Sequence, residues 1–169
     1  MRNNYFILLV LLITMVFASQ ENLFTNIEKF GDKSVIQFNL GDVDFQSDGE
    51  FVKINTSGRG TTSEPGFPGL PLYSTFFEIQ KNKNYEVTYE VTSSRTIEDI
   101  TIAHYSGSDP SNKVGKNNEF YNSSYIFPEE NLIYSPEVIV MRGVELISIG
   151  LTPFSYNAVK NELVIFWNF

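Results

Sequence analysis

The chain of 169 residues contains 12 basic and 20 acidic residues, one histidine and no cysteine, which gives a formal net charge of −8 at pH 7. The absence of cysteine excludes thiol catalysis, thiolate metal sites and a disulfide framework. Because so acidic a chain repels nucleic acid and anionic lipid, we expect neither as a partner.

The first 18 residues have the composition of a secretory signal peptide. Arg2 supplies a positive charge, residues 5–18 are apolar except for Thr14, and Ala18 precedes the predicted cleavage point. A membrane-spanning helix needs about 20 apolar residues, which is more than this run contains. We therefore predict that residues 1–18 are removed, that residues 19–169 form one exported domain, and that no stable membrane insertion follows.

Apolar and polar residues alternate with period two along much of the remaining chain, which is typical of half-buried β-strands. The clearest alternation lies at 84–92, where tyrosine and valine alternate with glutamate and threonine. Residues 19–30 are interpreted as one or two helical turns or as an irregular lead-in. The predicted strands, in chain order, are 34–40, 43–46, 51–54, 75–79, 84–92, 97–103, 137–141, 144–151 and 163–167.

Glycine and proline mark the connections between these strands. Asp48 and Gly49 predict a two-residue hairpin turn, whereas Gly143 suggests a bulge or bend. Residues 58–72 are rich in glycine and proline and are predicted to be a loop. Residues 104–130 are too long for an idle connection, so they are functional, partly disordered or contain a short element.

The number and spacing of the strands predict the fold class. Eight or more short strands without helical periodicity indicate an all-β domain, in the form of a two-sheet antiparallel β-sandwich of jelly-roll-like type. A chain of this length buries enough surface to fold as one domain without disulfide bonds. We therefore expect a single sandwich to follow the signal peptide.

Residues that carry catalysis are sparse. His104 is the single histidine, and no serine lies in the Gly, Ser and Gly pattern of a nucleophile elbow. A nucleophile needs a base that a third group orients, and His104 is interpreted instead as a polar residue at a strand end. We therefore predict no catalytic residue and no cofactor.

An acidic cluster offers one alternative, a calcium site. Calcium requires several converging oxygen ligands, and the densest acidic stretch is 42–50. Gln46 and Ser47 interrupt the spacing that an EF-hand loop requires, so no metal site is predicted. The acidic residues of this cluster are Asp42, Asp44, Asp48 and Glu50.

A carbohydrate-related function is a second alternative. Glu86 and Glu90 share one face of the predicted 84–92 strand, as a glycosidase carboxylate pair would, but a solvated strand face is the favoured interpretation. Aromatic side chains stack on sugar rings in binding modules, although they more often fill cores or anchor loops. The tyrosines considered as a sugar-binding platform are Tyr73, Tyr105, Tyr121 and Tyr125.

A set of motifs between residues 64 and 166 occurs in an order that is similar to that of one family. These motifs are EPGFPGLPLY at 64–73, FFEI at 76–79, YEVTY at 85–89, YIFP at 125–128, YSPEV at 134–138, MRG at 141–143, IGLTP at 149–153, YN at 156–157 and ELVIF at 162–166. They resemble the N-terminal pro-domain of gingipain-family cysteine peptidases, in which comparable loop, strand and hairpin motifs follow one another. The resemblance covers about 51–169, and Ala158 stands where the family often has proline.

The resemblance implies a secreted bacterial β-sandwich with no catalytic role of its own. In the family the catalytic histidine and cysteine lie in a following caspase-like domain. The pro-domain packs on that domain, assists its folding and blocks its active-site cleft until cleavage. Here the partner peptidase domain is either encoded separately or absent because the product is truncated. Many members leave the cell by the type IX route, so the implied location is the periplasm, the cell surface or the medium.

Latency of this kind is expected to place a side chain in the specificity pocket of the peptidase. The candidate inhibitory residues are Lys113 and Lys116 in the loop 104–130, and Arg59 in the GRG sequence at 58–60. The alternative interpretation is that they are solvated loop charges. The alternative function, from a different class, is an extracellular β-sandwich that binds glycan or protein.

Overall fold

The computed structural model describes residues 23–30, 33–55, 60–81, 85–129 and 132–169, which leaves the predicted signal peptide 1–18 outside. The described residues are almost entirely strands and loops, which confirms the all-β prediction. None of their helices is long and apolar enough to cross a membrane. The elements are β1 (Phe24–Phe30), β2 (Lys33–Phe38), β3 (Asp44–Asp48), β4 (Phe51–Asn55), β5 (Gly60–Thr61), β6 (Pro71–Glu78), β7 (Ser93–Ile97), α1 (Asn118–Tyr121), β8 (Ile126–Phe127), β9 (Ile133–Met141), β10 (Val144–Leu151), β11 (Phe154–Asn157) and β12 (Glu162–Asn168).

Two four-stranded antiparallel sheets form the body of the domain. One has the strand order β5-β6-β10-β9 and the other has the order β7-β12-β11-β8. The hairpins β1-β2 and β3-β4 complete the described ladders. Side chains from both sheets and from β2 and β4 meet in one hydrophobic core, in agreement with the predicted sandwich.

Strand β10 has the bounds that the sequence predicts and occupies the middle of its sheet. Its inward side chains include Ile147 and Leu151, which are 6% and 3% exposed. Arg142 and Gly143 connect β9 to β10 with φ values of 52° and 81°. Positive φ at both central residues is the requirement of a type I′ hairpin turn, so Gly143 belongs to a turn and not to a bulge within a strand.

Strand β12 lies at the centre of the second sheet, between β7 and β11, as its apolar sequence predicts. Leu163 is fully buried on its inner face. The end of β12 also bonds to the chain around the end of β2. The amide of Phe38 donates to the carbonyl of Phe169 (3.2 Å), and the amide of Leu40 donates to that of Trp167 (2.8 Å).

The strand prediction for 84–92 is wrong. The described part of it, residues 85–92, belongs to no strand, and Thr92 is bonded through its amide to the carbonyl of Asn168 (3.0 Å). The alternation is partly visible in burial, because Val87 and Val91 are half-buried while Glu86 and its polar neighbours are exposed. Alternation predicts which side chains face the protein, but it does not supply a strand with which to pair.

Several other boundaries also differ from the prediction. Strand β6 begins at Pro71 instead of 75, β9 begins at Ile133 instead of 137, and β5 lies within the predicted loop 58–72. A strand was predicted at 97–103, but the observed strand β7 covers 93–97 and therefore ends at the residue where the predicted one begins. Asp99 then adopts a φ of 57°, which is not extended backbone. Ile100 and Ile102 are nevertheless buried, like the inward side chains of a strand. The region 19–30 was expected to be helical turns or a lead-in, but its residues from Phe24 onward form β1 and pair with β2.

The predicted hairpin between 43–46 and 51–54 is confirmed, with its turn one residue further along. Asp48 pairs with Phe51, so the two turn residues are Gly49 and Glu50. Only Gly49 has a positive φ, of 67°, which is the pattern of a type II′ turn. The 104–130 loop contains the short elements α1 and β8, which was one of the three interpretations offered for it.

Candidate functional site

Two loops, 64–69 and 105–117, are joined by main-chain hydrogen bonds. The amide of Gly66 donates to the carbonyl of Tyr105 (2.8 Å), and the amide of Tyr105 donates to the carbonyl of Phe67 (2.7 Å). At the other end, the amide of Asn117 donates to the carbonyl of Gly66 (2.9 Å). Both ends of the 105–117 loop are therefore fixed to the same short segment.

Gly66 allows this close approach of the two loops. Its φ is 87°, a value that side chains other than hydrogen rarely permit. A Cβ atom at this position would lie 3.1 Å from the carbonyl oxygen of Gly115 and 3.2 Å from the amide nitrogen of Asn117. Because both neighbours are backbone atoms, a side chain at position 66 requires the two loops to move apart by a few tenths of an ångström.

The 64–69 loop is itself held in place by the buried hydroxyl of Thr62. Thr62 is 2% exposed, and its Oγ1 donates to the carbonyl of Pro68 (2.8 Å) and accepts from the amide of Leu70 (3.0 Å). A buried hydroxyl that satisfies two backbone groups spans this bend of the chain. The loop therefore presents a defined surface to the 105–117 loop.

Helix α1 begins directly after the 105–117 loop. Asn117 caps it, because the Asn117 Oδ1 accepts from the amide of Phe120 (3.1 Å). The Phe120 ring is buried and lies 5.2 Å from the ring of Phe67, measured between centroids. The Tyr121 hydroxyl donates to the carbonyl of Ile102 (2.9 Å). The helix thereby anchors the loop to the core.

The outer part of the 105–117 loop has hydrogen bonds of its own. The amide of Val114 donates to the carbonyl of Ser106 (2.8 Å) and closes the loop. Asp109 accepts from the hydroxyl (2.6 Å) and the amide (2.8 Å) of Ser111, and these bonds hold the pKa of the Asp109 carboxyl below its usual range. Lys113 lies in the returning arm, exposed and without a hydrogen bond or ion pair to any described residue.

Lys116 has a different environment from Lys113. Its ammonium nitrogen lies 6.0 Å from the ring centroids of both Phe51 and Tyr121, within cation–π range. These side chains line an open cleft of about 500 Å³. Lys116 is therefore directed onto its own domain, whereas Lys113 is not. The third candidate, Arg59, lies outside the described residues.

His104 lies beside this region but has no catalytic partner among the described residues. It forms an isolated β-bridge with Pro68, and its ring centroid lies 6.0 Å from that of Phe51. Its Nδ1 is buried without a hydrogen-bond partner, and none of the described serine hydroxyls bonds to the imidazole. His104 stands in this isolated bridge and not at the end of a strand, because β7 already ends at Ile97, so its predicted placement is wrong.

The carboxylates considered from the sequence do not converge. Asp48 pairs with Lys53 (2.6 Å), and the hydrogen bond and charge of that lysine lower the pKa of the Asp48 carboxyl. Asp44 accepts from the side-chain amide of Asn55 (3.3 Å). In the ranges that the structure describes, no three acidic or histidine side chains form a metal-binding group.

The four tyrosines considered as a sugar-binding platform do not form one. Tyr73 is 4% exposed and contributes to the core, whereas Tyr125 is 60% exposed. Burial, and to a lesser degree the neighbouring Tyr156 phenol, raises the pKa of Tyr121 well above its usual range. Tyr121 therefore has a structural role, and the platform interpretation is not supported.

Sequence analysis missed the residues that shape the loops. Gly66 entered only as part of a family motif, and no local pattern predicts that its Cβ position is filled by a distant backbone segment. An asparagine three residues before Phe120 is a recognisable helix-capping signal, and attention to it would have found Asn117. Thr62 carries no sequence signal, because its burial depends on the folded loop above it.

Comparison with known proteins agrees with this architecture. The Propeptide_C25 family model matches residues 15–168. No curated protein shows significant similarity to the chain. The complex of the pro- and mature domains of RgpB from Porphyromonas gingivalis is similar in structure, with 22% identity, a TM-score of 0.71, and coverage of 88% of this chain and 82% of that one.

A second solved structure is also similar in fold. It describes the zymogenic latency of gingipain K from Porphyromonas gingivalis, and its match has 17% identity, a TM-score of 0.69, and coverage of 86% of this chain and 88% of that one. At these identities the two likenesses establish the fold. Because the family model spans nearly the whole sequence, the chain belongs to the Propeptide_C25 family and is a non-catalytic propeptide, as its motifs predicted.

Proposed function

We propose that this chain is an inhibitory and folding-assisting pro-domain for a gingipain-type cysteine peptidase. It packs on the caspase-like peptidase domain and blocks the active-site cleft until it is cleaved away. Membership of the propeptide family supports this role, as does a fold shared with a pro-domain in complex with its mature domain and with a structure of zymogenic latency. The partner domain either follows in the same polypeptide or is a separate chain.

The proposal includes export from a bacterium, with removal of residues 1–18 and transport by the type IX route. It is supported by the apolar run 5–18 behind Arg2. N-terminal sequencing of the exported protein is expected to begin at Ser19. An intact Met1 on exported material would contradict the cleavage part of the proposal and leave the inhibitory part standing.

The observation that carries the inhibitory role is the fixed geometry of the 105–117 loop. Its two ends are bonded to Gly66 and Phe67, and it presents Lys113 to solvent. A loop held in its bound shape loses less conformational entropy on binding, so it suits insertion into a cleft. Lys113 is therefore the first candidate for a basic-specific pocket, followed by Lys116 and Arg59.

Inhibition constants test this assignment. They are measured with the cysteine peptidase domain that the same genome encodes together with a propeptide of this family. Replacement of a central anchor residue costs about 2 kcal/mol, so Lys113→Ala is expected to weaken inhibition about 30-fold. The exposed Lys33 on β2 provides a matched control, and Lys33→Ala is expected to inhibit like the wild type.

The outcomes of this experiment separate the loop from the function as a whole. If a variant with alanine at Arg59, Lys113 and Lys116 inhibits as strongly as the wild type, the loop assignment is wrong. If the wild-type chain neither binds nor inhibits the peptidase domain, the proposed function is wrong. Folding assistance is measured by refolding the peptidase domain with and without the chain, and an equal yield of folded domain contradicts that part.

A further inference from the structure

The end of the β9–β10 hairpin carries an unusual density of exposed apolar side chains. Val138, Val140, Met141 and Val144 are 56%, 68%, 52% and 40% exposed, and they lie within seven residues. Val140 is the most exposed large apolar side chain in the described ranges. Residues 138–144 are named the hairpin tip. Soluble domains rarely leave such a cluster uncovered unless it binds a partner.

The strand register shows that the hairpin tip is apolar on both faces. Val138 pairs across the ladder with the buried Ile147, and Val140 pairs with Glu145. Successive side chains alternate between faces, so Met141 projects from the face opposite to that of these valines. The neighbouring strand β6 ends at Glu78, opposite Leu146. Residues 140–144 therefore extend beyond the three-stranded part of the sheet, whereas Val138 lies at its border, opposite the pair of Ile147 and Phe77.

Among the described strands β9 is also the edge of its sheet, so that one row of its backbone groups has no ladder partner there. Proteins usually protect such edges with proline, lysine or a bulge. Pro136 and the register shift opposite Ser148 and Gly150 protect the first half of β9 in this way. Residues 138–141 contain none of these devices. The unprotected part of the edge therefore coincides with the exposed apolar side chains.

We propose that the hairpin tip is a docking surface for the peptidase domain, which covers it with an apolar strand edge rimmed by basic side chains. This inference rests on the proposed function. The strands of this sheet contain glutamates and no lysine or arginine, and Glu145 pairs directly with Val140, so charge complementarity favours a partner with basic side chains around its apolar contact. A second copy is a poor occupant, because each chain has a net charge of −8 and two copies repel each other.

The hairpin tip lies far from the loop that presents Lys113. Strand β10 runs from Val144 at the tip to Leu151, which pairs with Tyr73 just after the 64–69 loop. Seven residues of strand at about 3.4 Å each separate the two ends by about 24 Å. The tip is therefore an anchor outside the active-site cleft, and its contribution to binding is expected to be independent of the specificity of the pocket.

This inference is tested by a dissociation constant. It is measured for the complex of the chain with the cysteine peptidase domain that the same genome encodes together with a propeptide of this family. Val140→Lys is expected to weaken binding about tenfold or more, because a charge replaces an apolar contact. Val35→Lys is the matched control, since Val35 is a strand valine that is 43% exposed, and it is expected to bind like the wild type. Val140→Thr keeps the β-branched shape and adds no charge, so it is expected to fold and to bind with intermediate affinity.

Each result decides one part of the argument. Unchanged affinity in Val140→Lys and Val140→Thr, with binding by the wild type, overturns the docking surface and leaves the proposed function intact. Absence of binding by the wild type overturns both. A concentration-dependent dimer of the chain alone that Val140→Lys abolishes, seen by sedimentation, assigns the tip to a second copy and also overturns the proposal.

Discussion

Replacement of Gly66 by alanine is the most direct test of how the two loops hold each other. The methyl group meets an unfavourable φ of 87°, which costs about 1–2 kcal/mol. It also lies 3.1–3.3 Å from atoms of Gly115 and Asn117, and overpacking of this kind costs about 1–3 kcal/mol. The restriction of the unfolded chain by alanine offsets about 0.4–1 kcal/mol. We expect Gly66→Ala to lower the free energy of unfolding by about 2–4 kcal/mol.

Gly143 supplies the matched control for backbone strain. Its φ is 81°, and no atom lies within 4 Å of its Cβ position, so Gly143→Ala has the strain without the crowding. Its loss of unfolding free energy is expected to be about 1 kcal/mol. The difference between the variants, about 2 kcal/mol, corresponds to roughly 4–8 °C in Tm for a domain of this size.

Urea denaturation followed by the fluorescence of Trp167, which packs against the core, measures both variants. The inhibition constant is measured in parallel, because loops that have separated at position 66 present Lys113 less accurately. Gly66→Ala is expected to lose both stability and inhibition, and Gly143→Ala, which lies in the hairpin tip, serves as a control for stability alone and is expected to lose little of it. Equal destabilisation by the two substitutions would refute the reasoning, since it would mean that the loops yield without cost.

Two further predictions concern buried hydroxyls. Thr62→Val removes the hydroxyl's bonds to the Pro68 carbonyl and the Leu70 amide, which keep only their bond to each other (3.0 Å), and the loss of two buried hydrogen bonds is expected to cost about 1–3 kcal/mol in urea denaturation. Thr62→Ser keeps the hydroxyl, and an equal loss in that variant would contradict the explanation. Burial raises the pKa of Tyr121, so above about pH 10 the unfolded state releases this proton first and stability falls as pH rises. Tyr121→Phe is expected to make the alkaline decline shallower, and an unchanged slope would count against it.

Much of the fold was predictable where local pattern and tertiary pairing agree. Strand β10 has the predicted bounds, because its alternation is matched by neighbours on both sides. The 84–92 segment has an equally clear alternation and forms no strand in its described part. Pairing depends on which distant segment lies alongside, and a period of two contains no information about that segment.

The candidate site was only partly predictable. The sequence identified Lys113 and Lys116 as residues of one loop, but their different directions depend on the rings of Phe51 and Tyr121. The sequence predicts strands at 137–141 and 144–151 with a bulge or bend at Gly143, but it does not indicate that their joined end is exposed. The exposure of residues 140–144 follows from the termination of β6 at Glu78, which no residue within the tip encodes.

The position of β12 has a consequence for the order in which the domain can be built. β7, β11 and the residues around Phe38 all pair with this strand, which is synthesised after every one of them. Until β12 has left the ribosome, these segments lack the partner that completes their sheet. Contacts between segments so distant in sequence form slowly. The second sheet therefore cannot close until β12, the last of its strands in chain order, has been synthesised.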